Sequence, residues 1–486
     1  MEAIFFLPGI TGTRLNLDAE EIWPPTLLEG VFGYHRIAKL LDPRAAAGKI
    51  IDEVTFLVPI YKPLLEELDK IVAALHARKV KLPYDWRLDL WTSKAPFIAT
   101  SEQLAKVIEA EVSNGATSIT LVCHSMGCLV ARLVLESNRY KNTSWYKRIR
   151  KFVAICGPHL GAPLALERAL GLSGADGISA PDMKVITGDS RYPAGYQLFP
   201  VPGHDVLYDV SSGHLKALDI YNVAVDKKYG LTQSNVQAAQ SSWREIDIDT
   251  RPKGVEYALI CGKGFDTVNA FTYNNLRHLE TLVTDGDGTV PLWSSLAGST
   301  VHHYIIVGSH VGIMQTADFK RLLHTIMGVP LMASALATEQ PEVTININKR
   351  SFAPEEMMDV VVIADSPASA IEGSLRLDTV SNLVGVDTGA QPQLAPYGTG
   401  WPVQYRGPPI RHISTRLPAP RQAGVYALGF EGSHRAPPAK SATFFVTKPA
   451  AVGLTTAVEQ AERKVGQRKP TARRKKSTRS SQKSAS

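Results

Sequence analysis

The chain has 486 residues, 44% of them apolar, enough to bury a sizeable core and long enough for two or three domains. Its net charge of +7 belongs to one end: ten Lys and Arg lie between Arg463 and Lys483 with no acid among them, and setting these aside turns +7 into −3 for the rest. Four cysteines with no C-x-x-C pair exclude a disulfide scaffold and argue against a zinc site, and no run approaches the roughly 20 apolar residues that span a bilayer. The start, MEAIFFLPGITGT, has no charged n-region and only five apolar residues before Pro8, so no signal peptide is expected. The expected location is the cytoplasm, soluble or peripheral to a membrane.

In chain order, short apolar runs alternate with helical periodicity. AIFFL (3–7), SITLV (118–122), KFVAIC (151–156), YALIC (257–261) and HYIIV (303–307) read as strands buried on both faces. LLEELDKIVAALHA (64–77), SEQLAKVIEAEV (101–112), MGCLVARLVLES (126–137) and DFKRLLHTIM (318–327) carry apolar residues at helical spacing. The alternation predicts an α/β domain over 1–335 with a mainly parallel sheet. Residues 162–250 break the rhythm with Gly, Pro, Ser and Asp, as a lid or cap does. From about 340 the texture changes: EVTININ, SLRLD and GVYALGF alternate apolar with polar residues, which predicts a small all-β, Ig-like sandwich over 340–449. Residues 450–486 read as a disordered basic tail.

One stretch carries chemistry. LVCHSMGC (121–128) sets Ser125 between a strand and a helix, with Gly127 two residues on. The nucleophile elbow G-x-S-x-G has this context, although Cys123 replaces its first glycine. Alternatively Ser125 is a plain helix N-cap. A nucleophilic serine needs a base and an orienting acid downstream, in the order Ser, acid, His. His310 sits in a Gly-Ser loop just after the last strand run. His302 and His303 lie at that strand's opposite end, and His324 is mid-helix. Asp287, in TDGDGTVPLWSS, is the candidate acid, with Asp285 and Asp266 as rivals. The Asp285–Asp287 pair does not make a calcium loop, because Thr289 and Leu296 occupy ligand positions. A second oxyanion donor is expected after the first strand; the N–H groups of Ile10 and Met126 are the candidates.

With these residues assembled, residues 1–330 resemble the lecithin:cholesterol acyltransferase-like group of α/β-hydrolases. The matching motifs are PGITGT (8–13), PYDWR (83–87), HSMG (124–127), GPHLGAP (157–163), YQLFP (196–200) and DGDGTVPLWS (285–294). The resemblance implies an α/β-hydrolase fold with a lid, Ser125 as nucleophile, Asp287 as acid, His310 as base, and Ile10 and Met126 as oxyanion donors. It implies hydrolysis or O-acyl transfer on a lipid ester; no cofactor and no metal are expected. Asp85 and Arg87 of PYDWR are expected to support the site, not to do chemistry. The lid disulfides of secreted relatives have no counterpart here. The partners expected are a lipid or acyl-ester substrate and a membrane surface touched by lid and tail. Nucleic acid is not expected, since the tail lacks aromatic residues for stacking. The rival class is a membrane- or partner-binding protein on a hydrolase-like scaffold, motivated by the tail, with the β-rich region free to bind an unidentified partner.

Overall fold

The computed structural model describes residues 1–54, 58–298, 301–330, 341–432 and 441–448. Its centre is a six-stranded parallel sheet. The strands are β1 (Glu2–Leu7), β2 (Arg78–Lys81), β3 (Ser118–His124), β4 (Ile149–Ile155), β5 (Glu256–Lys263) and, after a hairpin, β8 (His302–Val307), in the spatial order β8-β5-β4-β3-β1-β2. All five ladders are parallel. Five of the six strands are the apolar runs read from the sequence. The exception is β2, RKVK, an edge strand half-exposed along its length. An edge needs only one apolar face, so β2 carries no continuous apolar signal.

Helices α1 (Lys62–Leu75), α2 (Thr100–Ser113), α3 (Met126–Glu136) and α8 (Ala317–Ile326) cover the sheet. Every residue of α3 is buried, which is why its sequence is apolar nearly all round. Between β4 and β5 the chain leaves the sheet through four helices: α4 (Pro163–Leu170), α5 (Ala180–Gly188), α6 (Val223–Tyr229) and α7 (Gln233–Trp243). This excursion has a core of its own, built on Leu166, Tyr196, Phe199 and Leu207. A second segment joins it. The hairpin β6 (Phe265–Asn274) and β7 (Arg277–Gly286) pairs with the short strand Leu207–Asp209 and inserts Phe271 and Tyr273 into the same core. The sequence reading stopped this region at 250, because the hairpin's polar, alternating texture resembles a loop.

The C-terminal β region contains β9 (Val343–Ile347), β10 (Met357–Val380), β11 (Trp401–Pro418), β12 (Gly424–Gly432) and β13 (Ala442–Val446). These strands, with Ser351–Phe352 and Leu394–Pro396, join one hydrogen-bonded network instead of the two separately bonded sheets of the expected sandwich. The reason is β10. It is 24 residues long, is bulged between Ile363 and Ala370, and pairs with β9 along one half and with β12 along the other. Ile345, Val360, Leu428 and Phe444 belong to its separate core. Residues Met1–Lys448 nevertheless form one compact unit. The expected disordered tail lies outside the described residues. Among the described residues no helix is long and apolar enough to cross a membrane.

Candidate active site

Parallel strands end together, so the loops after β1, β3, β5 and β8 gather at the carboxyl edge of the sheet. Ser125 follows β3 directly, with φ 53° and ψ −126°. A non-glycine residue takes this conformation only when its surroundings enforce it, at a cost of about 1–3 kcal/mol. Here the enforcement comes from both sides: the Ser125 N–H donates to the Ile155 carbonyl at 2.9 Å, and α3 starts at the next residue. The Ser125 side chain makes no capping hydrogen bond to that helix, so the N-cap alternative does not describe it. Small neighbours are required at this turn. A Cβ on Gly127 would lie 2.6 Å from the Pro8 carbonyl oxygen, and one on Gly9 would lie 2.7 Å from the Ser125 Cβ. Cys123 is fully buried in β3 opposite Leu7 and Ala154, and its small side chain fits where the glycine pattern fails.

The hydroxyl of Ser125 lies 2.9 Å from His310 Nε2, and His310 Nδ1 lies 2.8 Å from Asp287 Oδ2. Ser125, His310 and Asp287, separated widely in sequence, thus form one hydrogen-bonded chain. Since Asp287 is fully buried, desolvation works against its charge. The His310 ring and the N–H groups of Val290 and Thr289 outweigh that penalty and hold the carboxyl below its ordinary range. The His310 N–H donates to the Asp287 carbonyl at 2.8 Å, which ties the two loops at the backbone as well. A hydroxyl bonded to an imidazole whose far nitrogen meets a buried carboxylate can lose its proton to that imidazole.

The rival acids sit elsewhere. Asp266 is half-exposed on β6 and pairs with Arg416. Asp285 accepts from the Gly264 N–H at the hairpin base, at 2.8 Å. His303 bonds to the Ala297 carbonyl, and His324 is buried against Glu67 at 3.0 Å. Ile10 lies in the Gly9–Gly12 turn beside Ser125, and among the described residues its N–H has no partner. Met126 is the first residue of α3, where the N–H has no intrahelical acceptor.

His124, next to Ser125 in sequence, also has a place in the site. The Gly9 N–H donates to the Tyr61 oxygen at 2.8 Å, the Tyr61 hydroxyl lies 2.9 Å from His124 Nδ1, and His124 Nε2 lies 2.9 Å from the His310 carbonyl. A carbonyl only accepts, so Nε2 carries the proton and Nδ1 accepts from Tyr61. Burial, helped by the nearby His310 ring, pushes the His124 pKa down to about 3 and keeps the ring neutral. This relay ties the Gly9–Gly12 turn to the His310 loop. PYDWR supports the same turn: Tyr84 donates to the Pro8 carbonyl at 2.6 Å and Trp86 to that of Thr13 at 3.1 Å. Arg87 is buried and donates two hydrogen bonds to the Asp85 carboxylate, at 2.9 and 2.6 Å, and others to the carbonyls of Leu40 and Ala45.

The Cys156 thiol adjoins the cluster, and one donor atom each of Cys156, Asp287 and His310 lies within 4.8 Å of the others. Burial pushes this thiol well up, with the Asp287 carboxylate adding to the effect. A thiol held protonated beside a carboxylate already bonded to imidazole is a poor ligand for a cation.

No curated protein matches the chain. Among solved structures, the lin2722 product of Listeria innocua aligns at 14% identity over 69% of this chain and 94% of that one, with a TM-score of 0.26. Phospholipase PlaB from Legionella pneumophila aligns at 10% identity over 92% of this chain and 91% of that one, with a TM-score of 0.30. Neither superposition is close enough to add to the topology above. The model of the lecithin:cholesterol acyltransferase family matches residues 47–250, which include PYDWR, the Ser125 turn, GPHLGAP and YQLFP; Asp287 and His310 lie beyond it. Over residues 47–250 the chain is similar to the lecithin:cholesterol acyltransferase family.

Proposed function

We propose that the protein is a serine-dependent acyl-ester hydrolase or O-acyltransferase acting on a lipid ester. The observation that carries this reading is the hydrogen-bonded chain from Ser125 through His310 to Asp287, at 2.9 and 2.8 Å. His310 Nε2 takes the Ser125 proton as Oγ attacks the ester carbonyl carbon. The oxyanion meets the N–H groups of Ile10 and Met126. The leaving alkoxide takes the proton from His310, and an acyl-serine remains. Asp287 holds the imidazole in the productive tautomer and stabilises its protonated form. Water, or an alcohol in its place, then repeats the sequence and frees Ser125. The family match over 47–250 supports the lipid-ester class. The test is incubation of wild type and Ser125→Ala with a mixed lipid extract, followed by quantification of free fatty acid and new esters. Ser125→Ala is expected to lower turnover at least about 10³-fold. Turnover at the wild-type rate in that variant would remove Ser125 from the mechanism.

A further inference from the structure

We propose that the C-terminal β region completes this site, with Asn346 as a positioning residue for His310; the inference rests on the reading of His310 as the base. Side chains alternate along a strand. In β9, Ile345 and Ile347 enter the β region's own core, so Asn346 faces the other way. Its register partner on β10 is Val361, which packs with Ile363 against Phe265 and Val307, at the start of β6 and the end of β8. This face of β9 and β10 is therefore docked on the edge of the sheet from which the His310 loop emerges.

Asn346 grips that loop. Its Oδ1 accepts from the Ser309 N–H at 3.0 Å, one residue before His310, and lies 3.4 Å from the Ser309 hydroxyl. A Cβ on Gly312 would come within 2.5 Å of the same oxygen, so the loop is seated on Asn346 from both sides of His310. The following residues reach the other half of the relay. A Cβ on Gly288, next to Asp287, would lie 2.5 Å from the Asn348 carbonyl oxygen. One short segment thus abuts both the His310 loop and the Asp287 loop. Asn346 is 1% exposed, and its Nδ2 has no partner among the described residues. A buried, half-satisfied amide costs stability. A hydrophobic residue here would suit the packing with Val361, so the amide is kept for the bond its oxygen makes.

The test compares Asn346→Leu and Asn346→Asp with wild type in the full chain. Two readouts are used: ester hydrolysis as kcat and KM across pH, and hydrogen exchange of the peptide covering Ser309–Gly312. Asn346→Leu removes the acceptor. The expected result is about tenfold faster exchange in that peptide and about tenfold lower kcat, with KM within twofold of wild type. Asn346→Asp keeps the acceptor and adds a negative charge. It is expected to keep most of kcat while the acid limb of the kcat profile moves to higher pH, because a nearby anion favours protonated His310. Wild-type exchange and kcat in a folded Asn346→Leu protein would overturn the proposal. If Asn346→Leu does not fold, Asn346→Asp decides: an unmoved pH profile overturns it. Should wild type prove inactive on every ester, the proposed function falls, while the exchange comparison still judges the clamp.

Discussion

Ser125 and His124 are adjacent in sequence and exert opposite demands on the fold. Ser125 keeps its hydroxyl on His310, whereas His124 is sealed as a neutral ring between Tyr61 and the His310 carbonyl. The second arrangement makes stability depend on pH. Unfolded, His124 titrates near its ordinary 6.5; folded, it does so near 3. Between these values the unfolded chain binds a proton that the folded one refuses, so stability falls as pH drops through that window. The slope from this ring is at most about 1.4 kcal/mol per pH unit. His124→Asn is expected to flatten the dependence of urea-unfolding free energy on pH between 7 and 5; parallel slopes for variant and wild type would contradict the relay. At this scale the gathering of Ser125, His310 and Asp287 was legible, because each residue type is demanded by the chemistry, Ser125 and His310 follow apolar strand runs, and Asp287 lies in a Gly-rich loop. Tyr61 and Asn346 were not. Their roles arise from contacts made far along the chain, and an asparagine in an alternating strand reads as a residue facing water.

Helix α3, which starts at the Ser125 turn, holds a buried ion pair. Arg132 Nε and Nη2 meet the two Glu136 oxygens at 2.8 and 2.9 Å, and Arg132 Nη1 donates to the His159 carbonyl at 2.8 Å. The pair therefore fastens the helix to the GPHLGAP loop. Removing one partner strands the other charge away from water. Glu136→Ala is expected to cost about 3–5 kcal/mol in urea unfolding, and the double change Arg132→Met with Glu136→Leu markedly less. Equal losses in the two proteins would show that the charge itself is unimportant. The helix was evident from periodicity, but its ion pair was not, because Arg and Glu at i and i+4 are common on exposed helices too. The β6–β7 hairpin escaped notice for a related reason. Phe271 and Tyr273 mark the face it buries in the excursion's core, and their burial depends on Leu166 and Leu207, residues distant in sequence.

Across the whole molecule, the change of texture near 340 separates the cores of the α/β body and its excursion from the core of the β region, yet contacts join them. Asp387 accepts from the N–H groups of Leu27 and Leu28, Phe445 packs on Gly30, and Val361 meets Phe265. The change of texture near 340 was legible; the docking was not, since it depends on which faces of β9 and β10 remain uncovered. Residues 1–448 are expected to unfold in urea as one transition, with loss of ester hydrolysis coinciding with the fluorescence change of a variant retaining only Trp401, on β11. Two separated midpoints would contradict this. The position of Asn346 also bears on synthesis. A ribosome adding about 5–20 residues per second makes Ser125 on the order of tens of seconds before Asn346. During that interval Asp287, His310 and then the strand that steadies the His310 loop are added in turn, so on the proposed reading the site stays incomplete until the β region has been made.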